Sequence, residues 1–358
     1  MKKILFTGGG SAGHVSVNTA LIPEFLKNNW QVSYIGSHDG IEKDIITKKF
    51  SEVPYYSIAS GKLRRYFSVK NFTDPFRVLI GTLQAYLKIK KIKPDVIFSK
   101  GGFVSVPVLL AAKMARVPVA IHESDVTPGL ANKLAMPFAT RIYTTFKETL
   151  QYVPEEKSAC AGAIIREELF QGTRDKGIAF SGLDQTKPII LVMGGSLGAK
   201  GINTTVRNAL DELTGHYSVI HLCGKGNVVE NHNPDYIQYE FVSNELPDLI
   251  AASDLVISRA GSNSIFEFLA LKKPMILIPL SREASRGDQI LNANSFVQQG
   301  FALKLEEENL TTESLLTTVR QLRDQQWEMI EKMEAAPPSY TITQMAEEIS
   351  QLAKNNGR

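Results

Sequence analysis

Cysteine is scarce in this chain: Cys160 and Cys223 are the two present in 358 residues. They stand in unrelated contexts with no ligand-like spacing, which excludes a disulfide framework or a cysteine-held metal and fits two reduced thiols. Long apolar runs are lacking too. The best candidate, Val104 to Ile121, is broken by Pro107, Lys113, Arg116 and Pro118, so no clean span of about 20 residues remains to cross a bilayer. Ile4-Leu5-Phe6 is too short for a secretory signal. An excess of one charge is also absent. Lys and Arg number 40 against 37 Asp and Glu, a net +3 that is too mild to point to nucleic acid. Short-period repeats and low-complexity segments are missing. No Asp-x-Asp pair is available to hold a divalent ion beneath a diphosphate. What remains is a chain, soluble or lying on a membrane surface, that is 43% hydrophobic and long enough for two ordinary cores.

What the chain has is glycine at strand ends. Ile189 to Met193 predicts a buried strand, followed by Gly194-Gly195-Ser196-Leu197-Gly198-Ala199 and a helix-competent Lys200 to Asn208. The same device opens the chain, where Lys2 to Thr7 runs into Gly8-Gly9-Gly10-Ser11-Ala12-Gly13-His14. A strand, a glycine turn and a helix start aim backbone N–H groups and a helix dipole at an anion. Between and after these two openings, strand-like and helix-like segments alternate. Strands are expected at Gln31 to Ile35, Tyr55 to Ile58, Pro94 to Ser99, Val117 to His122 and Arg141 to Thr144. In the second half they are expected at Ser218 to Leu222, Ile237 to Tyr239, Leu255 to Ser258 and Met275 to Pro279. Helices are expected at Val17 to Asn28, Ile41 to Lys48 and Ile342 to Lys354. The βα rhythm implies parallel sheets whose ligand side lies beyond the strands' carboxyl ends. The stretch from Gly162 to Pro188 reads as a loop at the domain junction.

Each motif has a functional and a plain interpretation. Gly8, Gly10 and Gly13 match the dinucleotide spacing, but Ile35-Gly36-Ser37 occupies the place where a nicotinamide site wants an acidic residue. An anion cradle fits better. His14 is either a reacting group there or an ordinary histidine at a helix start. Gly101-Gly102-Phe103-Val104-Ser105 is a third glycine loop or a simple turn. Arg259-Ala260-Gly261-Ser262-Asn263-Ser264 suits phosphate, with Glu267 further along the same helix in reach of a sugar hydroxyl pair. Gln289 and Asn292 share a helix face, suited to sugar hydroxyls or to plain solvation. Lys62 to Lys93 is locally basic. Its Phe76, Leu79, Leu83 and Leu87 share one helical face, which meets either an anionic bilayer or the core.

Taken together and in this order, the glycine loops, His122-Glu123-Ser124-Asp125, Arg259-Ala260-Gly261-Ser262 with Glu267, and Gln289 with Asn292 resemble the MurG family, over essentially the whole chain. The resemblance implies an α/β fold of two Rossmann-like domains, the GT-B architecture, with a deep interdomain cleft. The first domain would be residues 1–162 plus 340–358, facing acceptor and membrane. The second, residues 163–339, would hold UDP-GlcNAc. It implies an inverting transferase that moves GlcNAc to the C4 hydroxyl of MurNAc in lipid I, making lipid II for peptidoglycan, without a cofactor or a metal. The donor set carried over is Arg166, Ser196, Leu197, Val242, Ser262, Asn263, Ser264, Glu267, Gln289 and Asn292. Gly10, Ser11, Ala12, Gly13, Gly101, Gly102, Phe103 and Ser105 would face the acceptor and its diphosphate. Phe67, Phe72, Phe76, Leu79, Leu83, Lys88, Lys90 and Lys91 would form the patch on the cytoplasmic face of an anionic membrane, with other cell-wall synthesis proteins as further partners. The chain departs from the family at Asp125, where many members carry asparagine, at Phe103, where many carry tyrosine, and at Asp288, which replaces an amide.

The expected chemistry needs a stabilised leaving group and a place for the acceptor's proton. Helix N-termini, loop amides and Arg166 would stabilise the departing diphosphate. His14 is the expected general base, because imidazole titrates near neutrality, with Asp125 and Glu123 in reserve. Domain closure would align the substrates. Three rivals are a nicotinamide-dependent oxidoreductase, a non-hydrolysing UDP-GlcNAc epimerase and a nucleotide-sugar sensor.

Overall fold

The computed structural model describes the chain except Ala12, residues 62–69, Ser196, Leu197, Glu283, Ala284 and residues 355–358, and the side chains of residues 70–73 and Lys354. It divides into two compact units, Met1–Ile164 with Pro338–Arg358, and Ile165–Pro337.

The first unit follows β1 (Lys3–Thr7), α1 (Gly13–Lys27), β2 (Gln31–Ser37), α2 (Ile41–Lys49), β3 (Tyr55–Ile58), α3 (Lys70–Ile92), β4 (Val96–Ser99), α4 (Ser105–Ala115), β5 (Val119–Glu123), α5 (Leu130–Ala135), β6 (Arg141–Thr144) and β7 (Ser158–Cys160). Its seven strands pair in parallel in the order β3-β2-β1-β4-β5-β6-β7. Strand order reverses between β1 and β4, so the loops after these two strands diverge and leave a crevice at their carboxyl ends. Both sheet faces are covered. Ile4, Phe6 and Phe98 pack under α1 residues Val17, Leu21 and Phe25, while Leu5, Ile97 and Ile121 pack against Ala85, Ile89, Val108 and Leu109 of α3 and α4.

The second unit runs α6 (Arg174–Ser181), β8 (Ile189–Met193), α7 (Lys200–Asn208), α8 (Leu210–His216), β9 (Ser218–Leu222), β10 (Tyr236–Tyr239), α9 (Leu246–Ala252), β11 (Leu255–Ser258), α10 (Ser262–Ala270), β12 (Met275–Leu277), α11 (Asp288–Gln298), β13 (Ala302–Lys304) and α12 (Thr312–Glu334). The order β10-β9-β8-β11-β12-β13 has its reversal between β8 and β11. The last helix, α13 (Ile342–Lys354), belongs to the first unit, because its Ile342, Met345, Ala346 and Ile349 are buried in the core beneath α1.

Three points differ from expectation. The supposed junction loop holds α6, which packs on α9. Strands β7 and β13 are new. Each is three residues long at a sheet edge, too short for a hydrophobic period to register.

The second unit also buries a polar chain. Tyr236 OH donates to His221 Nδ1 at 2.8 Å, His221 Nε2–H donates to Asn203 Oδ1 at 3.0 Å, and Asn203 Nδ2 donates to Cys223 O at 2.9 Å. Burial, and secondarily the Arg207 charge, lower the His221 pKa to about 3. The unfolded ring takes up its proton near 6.5, so the unfolded state binds more protons between these limits. Stability is therefore complete above about pH 6.5 and is lost as pH falls toward 3, by roughly 2 kcal/mol at pH 5. Urea midpoints measured from pH 7 to pH 4.5 are expected to fall in the wild type and to fall less steeply in His221→Gln.

Candidate active site

In the first unit three loops meet at the carboxyl ends of β1, β4 and β5. Gly9 N donates to Gly101 O at 3.2 Å and Lys100 N to Thr7 O at 3.0 Å, which ties the first loop to the second. Gly102 takes φ +84°, and a Cβ there would lie 2.1 Å from Gly9 O, so only glycine lets the loops approach this closely. Lys100, buried, donates through Nζ to Ser124 Oγ and so ties the second loop to the third. Ser105 Oγ donates to Gly101 O at 2.7 Å at the start of α4. His14 stands in the first turn of α1, half-buried, with Nδ1 3.1 Å from Gly9 O and 3.0 Å from Ser11 Oγ. Gly10 and Ser11 are exposed, while Gly13, Phe103 and Asp125 are half-buried. The expected contact at Ala12 lies outside the described residues.

Two expectations change in this unit. Gly10 N, expected to be offered to an anion, is occupied by a buried carboxylate, Glu42 Oε2, at 3.1 Å. Glu123, held in reserve as a base, is buried and accepts four hydrogen bonds. They come from Ser124 N at 2.8 Å, Asp125 N at 3.1 Å, Gly129 N at 3.0 Å and Asn132 Nδ2 at 2.8 Å. Burial raises its pKa while Lys100 pulls it back. A carboxylate whose lone pairs are taken by loop amides shapes the loop and has little capacity left for a substrate proton. Glu123 is a brace for Asp125 and Ser124.

In the second unit the loop after β8 turns through Gly195 and Gly198, both at positive φ. A Cβ at Gly198 would lie 2.1 Å from Cys223 O, the carbonyl held by Asn203. Ser196 and Leu197 lie outside the described residues. Across the reversal point, α10 opens at Ser262, Asn263 and Ser264. Gly261 before it offers no side chain to cap the helix, and the first turn holds no acidic residue. That end keeps a positive helix dipole. Arg166 and Glu267 are together: Arg166 Nε and Nη2 donate to Glu267 Oε1 at 3.2 and 3.1 Å. Burial raises the Glu267 pKa and Arg166 lowers it. Val242 is buried beside exposed Phe241.

The two amides of α11 take up structural contacts. Gln289 Oε1 accepts from Leu280 N at 3.1 Å. Asn292 was expected to face a sugar; it is fully buried and donates to Ala260 O at 3.2 Å, steadying the turn into α10. Arg259 likewise turns away from the loop surface. It donates to Ile278 O and Pro279 O at 3.2 and 3.3 Å and pairs with Glu307, which accepts from Ser281 N at 3.2 Å. Asp288 pairs with Arg286 at 2.7 Å. Glu42, Lys100, Asn132, Asn203 and Glu307 escaped the sequence, because each works through partners on other elements or loops that no local pattern pairs with it.

Two crevices, each lined with glycine loops at a strand-order reversal, are the geometry of paired nucleotide-type folds. Family models decide which. The glycosyltransferase family 28 N-terminal domain matches residues 4–144, and the family 28 C-terminal domain matches residues 189–353. The chain belongs to glycosyltransferase family 28. Within that family its relatives are MurG proteins. A Bacillus cereus UDP-N-acetylglucosamine–N-acetylmuramyl-(pentapeptide) pyrophosphoryl-undecaprenol N-acetylglucosamine transferase is 60% identical over 324 residues, 90% of this chain and 92% of the relative. A Geobacillus kaustophilus protein of the same description is 53% identical over 356 residues, 98% of this chain and 99% of its own. The crystal structure of Acinetobacter baumannii MurG superposes with a TM-score of 0.77 at 23% identity, covering 99% of this chain and all of that one. The Neisseria meningitidis UDP-GlcNAc 2-epimerase bound to UDP-GlcNAc shares the fold, at a TM-score of 0.68 and 15% identity over 99% of this chain. The family 28 chain thus has two Rossmann-like α/β domains of GT-B type.

On α3 the ambiguous helical face is solvent-exposed. Phe76, Leu79, Ile80, Leu83 and Leu87 are between 53 and 68% exposed, whereas Ala85, Ile89 and Ile92 face the core. Lys88 and Lys90 lie over the rings of Tyr56 and Tyr86, with Lys91 exposed beside them. Phe67 is outside the described residues, and Phe72 is placed only by its backbone within α3. Among the described residues, no helix is long and apolar enough to cross a membrane.

Proposed function

We infer that this family 28 protein transfers GlcNAc from UDP-GlcNAc to the C4 hydroxyl of MurNAc in lipid I, with inversion, and releases UDP and lipid II. The observation that carries this is identity of 53–60% along nearly the full length of relatives described as that transferase. The acceptor oxygen forms a bond to C1 of GlcNAc as the bond from C1 to the diphosphate breaks. The acceptor's proton goes to His14, and the charge gathering on UDP is met by the N-terminus of α10 and the loop after β8. Glu267 takes the ribose hydroxyls, Arg166 keeps that carboxylate in place and neutralises it beneath an anionic ligand, and Val242 presents main chain to uracil. Gln289 meets the sugar, with Asn292 behind it holding the loop. The loops of Gly10 to Gly13 and Gly101 to Ser105, with Asp125, face the acceptor.

Incubation with UDP-GlcNAc and a short-chain lipid I analogue tests the assignment. UDP release that depends on the acceptor is expected; epimerised sugar or acceptor-independent loss of UDP-GlcNAc overturns it. In the same assay Arg166→Ala is expected to raise the donor KM about 10- to 100-fold. It removes a charge-assisted pair, worth about 1.5–3 kcal/mol, and leaves the Glu267 charge unneutralised beneath an anionic nucleotide.

The exposed face of α3 docks the enzyme on an anionic bilayer, placing it at the cytoplasmic side of the cell membrane, where lipid I is reached. Five large apolar side chains held in water are costly in a monomer and useful at a lipid surface. Replacing Leu79 and Leu83 with serine is expected to abolish most co-sedimentation with phosphatidylglycerol vesicles. UDP release with a water-soluble acceptor analogue is expected to be unchanged.

A further inference from the structure

Glu42, in the first turn of α2, is a wholly buried carboxylate with no role in the chemistry above. Its Oε1 accepts from Ser37 N at 3.0 Å and Ser37 Oγ at 2.5 Å, and its Oε2 accepts from Gly10 N at 3.1 Å. Glycine makes room for it. A Cβ at Gly9 would stand 2.3 Å from the carboxyl carbon, and one at Gly40 would stand 2.2 Å from its oxygens. Burying an ionised group this completely is costly unless each oxygen is met by donors, so the arrangement is a specific one.

The Gly10 N–H belongs to the same peptide group as the Gly9 carbonyl. In a trans peptide these two point in opposite directions, and no peptide bond is cis among the described residues. On the carbonyl side, Gly9 O lies 3.1 Å from His14 Nδ1. One peptide group therefore has a carboxylate on one side and an imidazole on the other. A carbonyl oxygen only accepts, so Nδ1 carries the hydrogen and the neutral ring's lone pair falls on Nε2. Ser11 Oγ, 3.0 Å from Nδ1, is compatible as a second acceptor.

We propose that Glu42 is a positioning residue for His14, acting through the Gly9–Gly10 peptide. The proposal rests on His14 being the base. The carboxylate polarises the peptide, which makes Gly9 O a stronger acceptor. That holds the ring in one tautomer and stabilises the imidazolium formed when Nε2 takes the acceptor's proton. The logic is that of a carboxylate behind a catalytic histidine, with a peptide interposed. Other ionisable groups at this end of the sheet are Lys100 from the loop after β4, Glu123 and Asp125 from the loop after β5, and the phenols Tyr34 and Tyr55, whose pKa values burial raises. All of them are kept when Glu42 alone is changed.

Glu42→Gln keeps the shape and removes the charge. We expect kcat/KM for the acceptor to fall on the order of 10- to 100-fold. The acidic limb of its pH profile is expected to move to lower pH, since a less stabilised imidazolium means a less basic ring. Calorimetric UDP-GlcNAc binding is expected to stay unchanged, which checks folding of the second unit. His14→Ala combined with Glu42→Gln is expected to be no slower than His14→Ala alone. Nitrogen-15 NMR of the wild-type ring is expected to show the neutral form protonated at Nδ1, and Glu42→Gln to show a mixture. If His14→Ala is crippled while Glu42→Gln keeps both rate and limb, the relay is overturned and the base assignment stands. If His14→Ala turns over normally, the base assignment itself falls. Should Glu42→Gln not fold, the wild-type spectrum decides, and a ring protonated at Nε2 overturns the relay.

Discussion

His14→Ala is expected to lower kcat by roughly 10²- to 10⁴-fold, the usual contribution of a positioned general base. UDP-GlcNAc binding should survive, because the residues assigned to the donor belong to the other compact unit. The expectation follows from placement. The imidazole stands at the start of α1, beside the reversal between β1 and β4, with Nδ1 held against Gly9 O and Ser11 Oγ. Losing the side chain leaves the acceptor hydroxyl without a partner to receive its proton as the new bond forms. Steady-state UDP release, with calorimetry for the donor, checks both halves. Near-normal turnover would remove His14 from the reaction and pass the role to Asp125, the half-buried carboxylate on the neighbouring loop.

Glu123→Ala is expected to cost about 3–5 kcal/mol of stability, the range for breaking a buried charged network. Ser124 N, Asp125 N, Gly129 N and Asn132 Nδ2 would all lose their acceptor. Lys100, buried beside Ser124, would lose the stronger of the two carboxylate charges that support it, and burial already lowers its pKa. In a unit of this size each kcal/mol is worth about 2–4 °C, so a melting transition lowered by roughly 6–20 °C is expected. Glu123→Gln, which still offers one acceptor oxygen, should fall between. If Glu123 acted as base rather than brace, Glu123→Gln would instead lose turnover at unchanged melting temperature. Scanning calorimetry together with UDP release separates the two roles.

The glycine loops were legible because their requirements are local. Gly10, Gly101, Gly102, Gly195 and Gly198 all take positive φ, where only glycine sits without strain. They mark strand ends whatever the surrounding fold, and the parallel sheets follow from the βα rhythm. The Arg166–Glu267 pair was half legible: each residue stood in a recognisable motif, yet they meet across 101 positions. The α3 face shows the same limit. Spacing placed Phe76, Leu79, Leu83 and Leu87 on one side of a helix, and an amphipathic period is the same whether that side meets a core or water. Glu123 and Asn292 sit within motifs the sequence singles out, but which way each side chain turns depends on partners the local pattern does not name: loop donors for Glu123, and Ala260 O for Asn292. Glu42 gave no signal. An acidic residue in a helix's first turn is commonplace, and its partner Gly10 is 32 residues away.

By itself, then, the sequence determined the two α/β folds, the family and the positions of the loops, because backbone conformation and hydrophobic period are written within a few residues. The tertiary structure alone decided which polar side chains brace the loops, and that the apolar row of α3 points outward. Those outcomes depend on burial and on hydrogen-bond partners that folding brings together from distant parts of the chain.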